Sequence, residues 1–185
     1  MKYFMFEFKE ISCKYISFRK IIHSDVVDIK NIRKKGETEG FLSKTPDNID
    51  VFSQWIDNES LNPTTLYLAI LDKKKNFIGT VRFINIEKNL FEWGSWVLKE
   101  NLGPIISLNS IYVVYKMAID LFNYESCEFK VKSHNKSVIK LHLKTGATII
   151  GVKGDLTYFR IENQIIKSFL KKYESRFGDL EFVYN

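Results

Sequence analysis

Two side chains in this sequence have types and settings suited to proton transfer. They are Glu92, within Phe91-Glu92-Trp93-Gly94-Ser95-Trp96-Val97, and His142, within the short segment from Lys136 to Lys144. A carboxylate can take a proton from an amine directly or through water. An imidazole with an ordinary pKa of about 6.5 keeps a usable protonated fraction near neutral pH and can give that proton to a leaving group. Each also has a plain structural reading. Glu92 can point outward between Phe91 and Trp93, or pair with Arg82 on a neighbouring strand, and a lone His on a short helix is more often packed or solvated. Tyr158 is a fallback proton donor with a weaker position. His23, His134 and Cys127 form no constellation with a second catalytic group. Cys13 and Cys127 are too few and too far apart for a disulfide framework or a zinc site, so no metal is expected and both read as packing residues.

The elements that must position Glu92 and His142 can be read from periodicity. Tyr15 to Ile22 alternates as a strand, and Ser24-Asp25 supplies an N-cap before Val26, Val27, Ile29 and Ile32 at helical spacing. Gly36 to Thr45 is polar and loop-like. Pro46 and Asp47 can open a second helix carrying Ile49, Phe52, Trp55 and Ile56 on one side. Leu66 to Leu71, Phe77 to Ile86 and Leu90 to Leu98 form an antiparallel meander with turns at Asp72 to Asn76 and Glu87 to Asn89. Ser107 to Phe122 has a wide apolar helical face. Ser126 to Lys132 is a strand, and Lys136 to Lys144 is a short helix stopped by Gly146. The strands Thr148 to Val152 and Leu156 to Ile161 precede a closing amphipathic helix around Ile165 to Phe177. The order β-α-α-β-β-β-α-β-α-β-β-α predicts a mixed α/β domain.

Length and composition bound the possibilities. The 185 residues suffice for one sizeable core, and 45% hydrophobic with 27% charged residues is ordinary for a globular chain. The segment from Met1 to Glu10 has scattered acids and no small-residue cleavage site, so it does not read as a signal peptide, and no apolar run is long enough to span a bilayer. The expected compartment is the cytoplasm, with no membrane partner. The net charge of +6 comes from scattered lysines. The tightest basic runs, Arg33 to Lys35 and Lys73 to Lys75, read as a helix end and a hairpin turn, so no nucleic-acid partner is expected.

Element order and three motifs together resemble the GNAT acetyltransferases, in particular the branch with ribosomal-protein and nucleotide-sugar N-acetyltransferases. The motifs are Asn135 to Ala147, similar to the family's Asn-x-x-(small)-x-x-Leu-Tyr-x-x-x-Gly-Phe segment, Phe77-Ile78-Gly79-Thr80, and Phe91 to Val97 before the long helix. The resemblance covers roughly residues 16–162. It implies an α/β (α+β) fold with a mixed, mostly antiparallel sheet, helices on both faces, and a splayed strand pair within one acyl-CoA N-acyltransferase-like domain over 1–185. The strand of Glu92 to Leu98 would splay from that of Glu128 to Lys132 and leave backbone groups for the pantetheine arm.

The resemblance also implies roles. Acetyl-CoA is the expected co-substrate, bound by Trp96, Val97, Leu98, the loop Gly103-Pro104-Ile105-Ile106-Ser107, and Asn135. The diphosphate is expected at the N-terminus of the long helix near Ser107. That loop departs from the family's pattern: Gly103 and Ser107 fit it, the basic residue is missing, Ile105 stands at a glycine position, and Pro104 removes an N–H donor. Gly103-Pro104 also reads simply as a turn, and Asn135 as a helix cap. Glu92 is the implied base, and His142 stands where many members have a proton-donating Tyr. Phe91, Trp93 and Trp96 are candidates for lining an acceptor pocket. Plain alternation places Phe91, Trp93 and Ser95 on one face and Glu92, Gly94 and Trp96 on the other, although Gly94 can also mark a bulge. The expected acceptor is a small-molecule amine or a nucleotide-linked amino sugar. A lapsed ligand-binding module and a protein Nα-acetyltransferase are the alternatives. An open sheet edge near Leu156 to Ile161 would allow pairing into a homodimer.

Overall fold

The computed structural model describes residues 8–84 and 90–184. Nine strands, β1 (Phe8–Ser12), β2 (Ile16–Lys20), β3 (Thr65–Asp72), β4 (Phe77–Ile84), β5 (Leu90–Leu98), β6 (Ser126–Lys132), β7 (Thr148–Lys153), β8 (Leu156–Glu162) and β9 (Glu181–Tyr184), form one sheet in the order β7-β8-β6-β5-β4-β3-β2-β1-β9. Five helices, α1 (Val26–Thr38), α2 (Ile49–Ser60), α3 (Gly103–Asp120), α4 (Lys136–Lys144) and α5 (Asn163–Phe177), complete the fold. Every strand pairing is antiparallel except β5 with β6.

The continuous apolar run of β3 shows why both faces carry helices. Leu66, Leu68 and Ile70 enter one buried cluster, while Tyr67, Ala69 and Leu71 enter a second. A strand buried on both faces loses its polar alternation and reads as an unbroken hydrophobic stretch. The second cluster is closed by Val26 and Ile29 of α1 and by Phe52 and Ile56 of α2. The first is built on α3, whose Ile111, Tyr112, Val113, Val114 and Tyr115 are all fully buried, with Ile166, Phe169 and Leu170 of α5 beyond it. A helix apolar on every side belongs between layers.

Several sequence expectations change in detail. Asp25 does not cap α1 with its side chain; its carboxylate accepts from Ile22 N–H at 2.9 Å and from Arg19 at 2.6 and 2.7 Å. Asn48, rather than Pro46 or Asp47, caps α2 by accepting from the N–H groups of Asp50 and Val51. The first helix runs to Thr38, so only part of Gly36 to Thr45 is loop. β1 and β9 pair with each other at one sheet edge and were not expected, because each is short and stabilised through its neighbour. The expected edge at Leu156 to Ile161 is not an edge: β8 lies between β6 and β7, and β7 is the outermost strand. The turn expected at Glu87 to Asn89 lies outside the described residues.

Candidate active site

Among the described residues, the one parallel pairing in the sheet spans three residue pairs and ends at Glu92. Leu90, Phe91 and Glu92 face Ser126, Cys127 and Glu128. Beyond them β5 continues along β4 as far as Leu98, while β6 continues along β8 as far as Lys132. The two strands therefore open into a V whose facing backbone groups have no ladder between them, and buried groups of that kind require other partners.

A bulge sits on the β5 arm of the V. Thr80 pairs with Val97 and Arg82 with Gly94, so three steps on β5 match two on β4. Ser95 takes up the extra residue at φ +47°, and its carbonyl accepts from Thr80 Oγ1 at 2.9 Å. The extra residue turns Trp96 to the face of Trp93. Their rings lie 6.1 Å apart, both contact the first cluster, and Trp96 Nε1 donates to Ser110 Oγ at 3.0 Å. The expected alternation, with Trp96 on the face of Glu92, is thereby corrected. Gly79 on β4 allows the close approach, since a Cβ there would lie 2.4 Å from the Val97 carbonyl oxygen.

Two cavities meet at the V. One, of about 340 Å³, is lined by Glu92, Gly94, Arg82, Lys130 and His142 among others, and the other, of about 590 Å³, by Trp96, Val97, Leu98, Ser107 and Asn135 with residues of α1. Phe41, Leu42, Trp96, Asn135 and Val138 line both, so they stand where the two cavities adjoin. Phe41 and Leu42 come from the segment expected to be plain polar loop. Phe41 stacks on His134 with centroids 5.0 Å apart, and His134 Nε2 lies 3.2 Å from the Glu39 carbonyl oxygen. Leu42 packs where a Cβ on Gly36 would come within 2.7 Å of its Cδ1. The apolar pair Phe41-Leu42 inside a polar stretch was the available signal for this closure.

Glu92 stands at the point of divergence, on the first cavity's wall. Its carboxylate accepts from Lys130 Nζ at 3.0 Å, not from Arg82, which instead faces Glu59 at 3.5 Å and lies 5.6 Å from the Trp55 ring. Gly94, on the same face, has open space above it.

His142 is only 2% exposed, among Trp93, Phe129 and Phe159. Burial pushes its pKa down to about 3, and its Nδ1 has no partner. The expected protonated fraction near neutral pH is therefore absent: desolvation penalises the cation, and no carboxylate offsets it. Trp93 lines the first cavity and Trp96 both, but Phe91 does not, being stacked with Tyr124 in the core. Tyr158 pairs in register with Lys130 one strand away from the V and lines neither cavity.

The donor-side expectations divide. Trp96, Val97, Leu98, Ser107 and Asn135 come together around the second cavity, and Asn135 also caps α4 by accepting from Val138 N–H at 3.3 Å. Gly103, Pro104, Ile105 and Ile106 line neither cavity. They form the first turn of α3, which begins four residues before Ser107 because Pro104 has the backbone φ a first helical turn needs. Gly103 enters that turn at φ +76°, where its lack of a side chain matters. The N–H groups at this end without an intrahelical acceptor are those of Leu102, Gly103 and Ile105, since Pro104 has none and Ile106 bonds back to the Leu102 carbonyl. Among the described residues no group of three or more acidic, His or Cys side chains is placed to hold a metal ion, and no helix is long and apolar enough to cross a membrane.

A family model for an acetyltransferase (GNAT) domain matches residues 16–148. Among solved structures, the chain is similar to apo FdhC, a nucleotide-linked sugar GNAT, at 25% identity and a TM-score of 0.74, over 90% of this chain and 95% of that one. It is similar in fold to a GCN5-related N-acetyltransferase from Brucella melitensis (16% identity, TM-score 0.76, 91% and 85% covered). The same holds for the spermidine N-acetyltransferase of Vibrio cholerae in complex with CoA and spermine (16%, 0.71, 82% and 98%). No curated protein matches significantly.

Proposed function

We infer the reaction from one premise, that this chain belongs to the GNAT acetyltransferase family: it moves acetyl from acetyl-CoA to a primary amine of a small molecule or nucleotide-linked amino sugar by direct attack. The observation that carries this reading is the V between β5 and β6, with two adjoining cavities that share lining residues. A chain bearing amide groups can bond the unpaired backbone of the V as an added strand would. The second cavity suits that chain, and the N–H groups at the start of α3 suit an anion such as its diphosphate. When bound, acetyl-CoA supplies an activated acyl group and a thiolate leaving group.

The protein's own contribution begins with orientation. Holding two reactants in adjoining cavities, so that thioester and amine meet where the cavities join, converts a bimolecular encounter into a near-unimolecular step. Glu92 meets the acceptor amine and takes its proton, and Lys130 at 3.0 Å holds the carboxylate in place beforehand. Backbone N–H groups of β5 that turn toward the V, beyond its last pairing with β6 at Glu92, are available to the thioester oxygen as charge develops there. His142, neutral and buried, acts as a hydrogen-bonding imidazole rather than as a stored proton. Tyr158 takes no part.

Acetyl-CoA titration by calorimetry and thermal shift, followed by a thiol-release screen over primary amines, tests the reading. Saturable binding and amine-dependent thiol release are expected. Absence of heat and of any melting shift at millimolar acetyl-CoA would leave the chain as a lapsed member, consistent with the basic residue missing from Leu102 to Ser107.

A further inference from the structure

The sheet ends on one side at β7. Among the described residues β7 pairs only with β8, so the other side of its backbone offers N–H and C=O groups to an added strand. All six of its residues are exposed, Ile149, Ile150 and Val152 by 48%, 50% and 65%. Edge strands are commonly blunted by a charge or a proline in mid-strand. β7 has Lys153 only at its end, with the uncharged Ile149 to Val152 in the middle. Ile165 of α5, also exposed, lies close against Gly146, two residues before the strand. An exposed apolar area of this kind marks a protein contact.

The pattern of β7 says what fits there. A bulge leaves Ile150 without a register partner on β8, so Thr148, Gly151 and Lys153 stand opposite Arg160, Tyr158 and Leu156, and Ile149 and Val152 opposite Phe159 and Thr157. Successive residues of β8 alternate between faces. Thr148, Gly151 and Lys153 therefore share one face of the sheet, and Ile149 and Val152 the other. Counted inward from either end, the strand presents the same order of faces. Directly opposed residues of an antiparallel pair lie on one face, so two copies of β7 can pair with Thr148 against Lys153, Ile149 against Val152, and Ile150 against Gly151. Without the extra residue Thr148 and Lys153 would fall on opposite faces, and this register would be closed. It sets aliphatic against aliphatic twice, and the one charge on the strand, Lys153, meets a hydroxyl instead of its own copy. A peptide from another protein needs no such symmetry.

We propose that β7 pairs antiparallel with β7 of a second copy of this chain, about a two-fold axis between Ile150 and Gly151, joining two nine-stranded sheets into one. Such an interface is isologous and closes on itself, so it makes dimers and not filaments. Ile165 of each copy adds apolar surface beside the paired strands. Lys153, Leu156 and Lys132 are in register across three strands, and Leu156 and Lys132 line the acceptor-side cavity. Both such cavities therefore open on the same face of the joined sheet. The proposal does not depend on the acetyl-transfer reading.

The test is sedimentation velocity across the micromolar range on the native chain, Ile149→Lys, Val152→Glu, and the variant carrying both substitutions. The native chain is expected as a dimer. Each single variant sets a charge against an aliphatic side chain of the other copy and should weaken the dimer about tenfold or more. In the double variant each new lysine faces a new glutamate across the axis, and dimerisation should return to within a few-fold of native. That recovery also separates loss of pairing from loss of folding, since the double variant carries both substitutions. A native chain that sediments as a single copy throughout, single variants that dimerise as the native chain does, or a double variant that stays monomeric would overturn the proposal.

Discussion

Replacing Glu92 with Gln separates a catalytic carboxylate from a structural one, because the two roles have different magnitudes at this position. The side chain is 27% exposed and its partner Lys130 is 50% exposed. An ion pair so open to water contributes only ~0–1 kcal/mol to folding. In a domain of this size that corresponds to a melting shift of no more than about 2–4 °C. Catalysis has a larger scale. An alkyl amine with a pKa of about 10.4 is neutral in roughly one molecule in a few thousand at pH 7, and a positioned base is worth about 10²–10⁴-fold in rate. At ~1.4 kcal/mol per tenfold, that is ~3–5 kcal/mol of barrier. Thiol release from saturating acetyl-CoA should therefore fall by two orders of magnitude or more at pH 7, while melting temperature and acetyl-CoA affinity stay near the native values. The deficit should narrow as pH rises toward the amine pKa, where the base is no longer needed. A Glu92→Gln variant whose kcat stays within threefold of native across that range would reduce Glu92 to the anchor of Lys130.

Three other changes test separate parts of the structure. His142 has its pKa depressed to about 3 in the folded state against about 6.5 unfolded, so the unfolded chain binds the extra proton first. Stability is therefore present in full above pH 6.5 and falls by up to ~1.4 kcal/mol per pH unit toward pH 3; urea midpoints in His142→Phe should lose that part of the slope. Gly79→Ala forces a Cβ against the Val97 carbonyl oxygen and Leu98 Cα, both backbone atoms that cannot rotate away. A cost of about 1–3 kcal/mol by urea unfolding is expected, with weaker acetyl-CoA binding because Val97 and Leu98 line the donor cavity; native-like values for both would show that the bulge can yield. Phe41→Ala removes the ring stacked on His134 where the two cavities adjoin, and should raise the acetyl-CoA dissociation constant several-fold in calorimetry while leaving the melting temperature within a few degrees.

What was legible in the sequence depended on how local its cause was. The segments Ser126 to Lys132 and Lys136 to Lys144 have the same bounds in the structure, since alternation and an Asn cap are written in adjacent residues. The V was reached through the family resemblance, and the register of β5 with β6 agrees with it. The bulge was legible only as an alternative raised by Gly94, which adjoins it: Ser95, which takes up the extra residue, adopts a left-handed conformation that its residue type does not signal, and that one residue was enough to reverse the facing of Trp96. The depressed His142 pKa depends on Phe129 and Phe159, on two strands outside the helix that carries the imidazole. The cations around Glu92 were equally hidden. Arg82 comes from β4 and Lys130 and Lys132 from β6, on either side of β5, and Arg33 comes from α1. The pair β1 and β9 exists only through tertiary contact and left too short a pattern to recognise.

Because Phe8 and Tyr184 are register partners on the outermost two strands, both ends of the described chain emerge at one corner, with β9 five positions from β5 in the sheet. A label placed at Phe8 or Tyr184 would therefore sit four or five positions along the sheet from the strand that carries Glu92. Either position can thus carry a probe or a tether without entering the lining of either cavity.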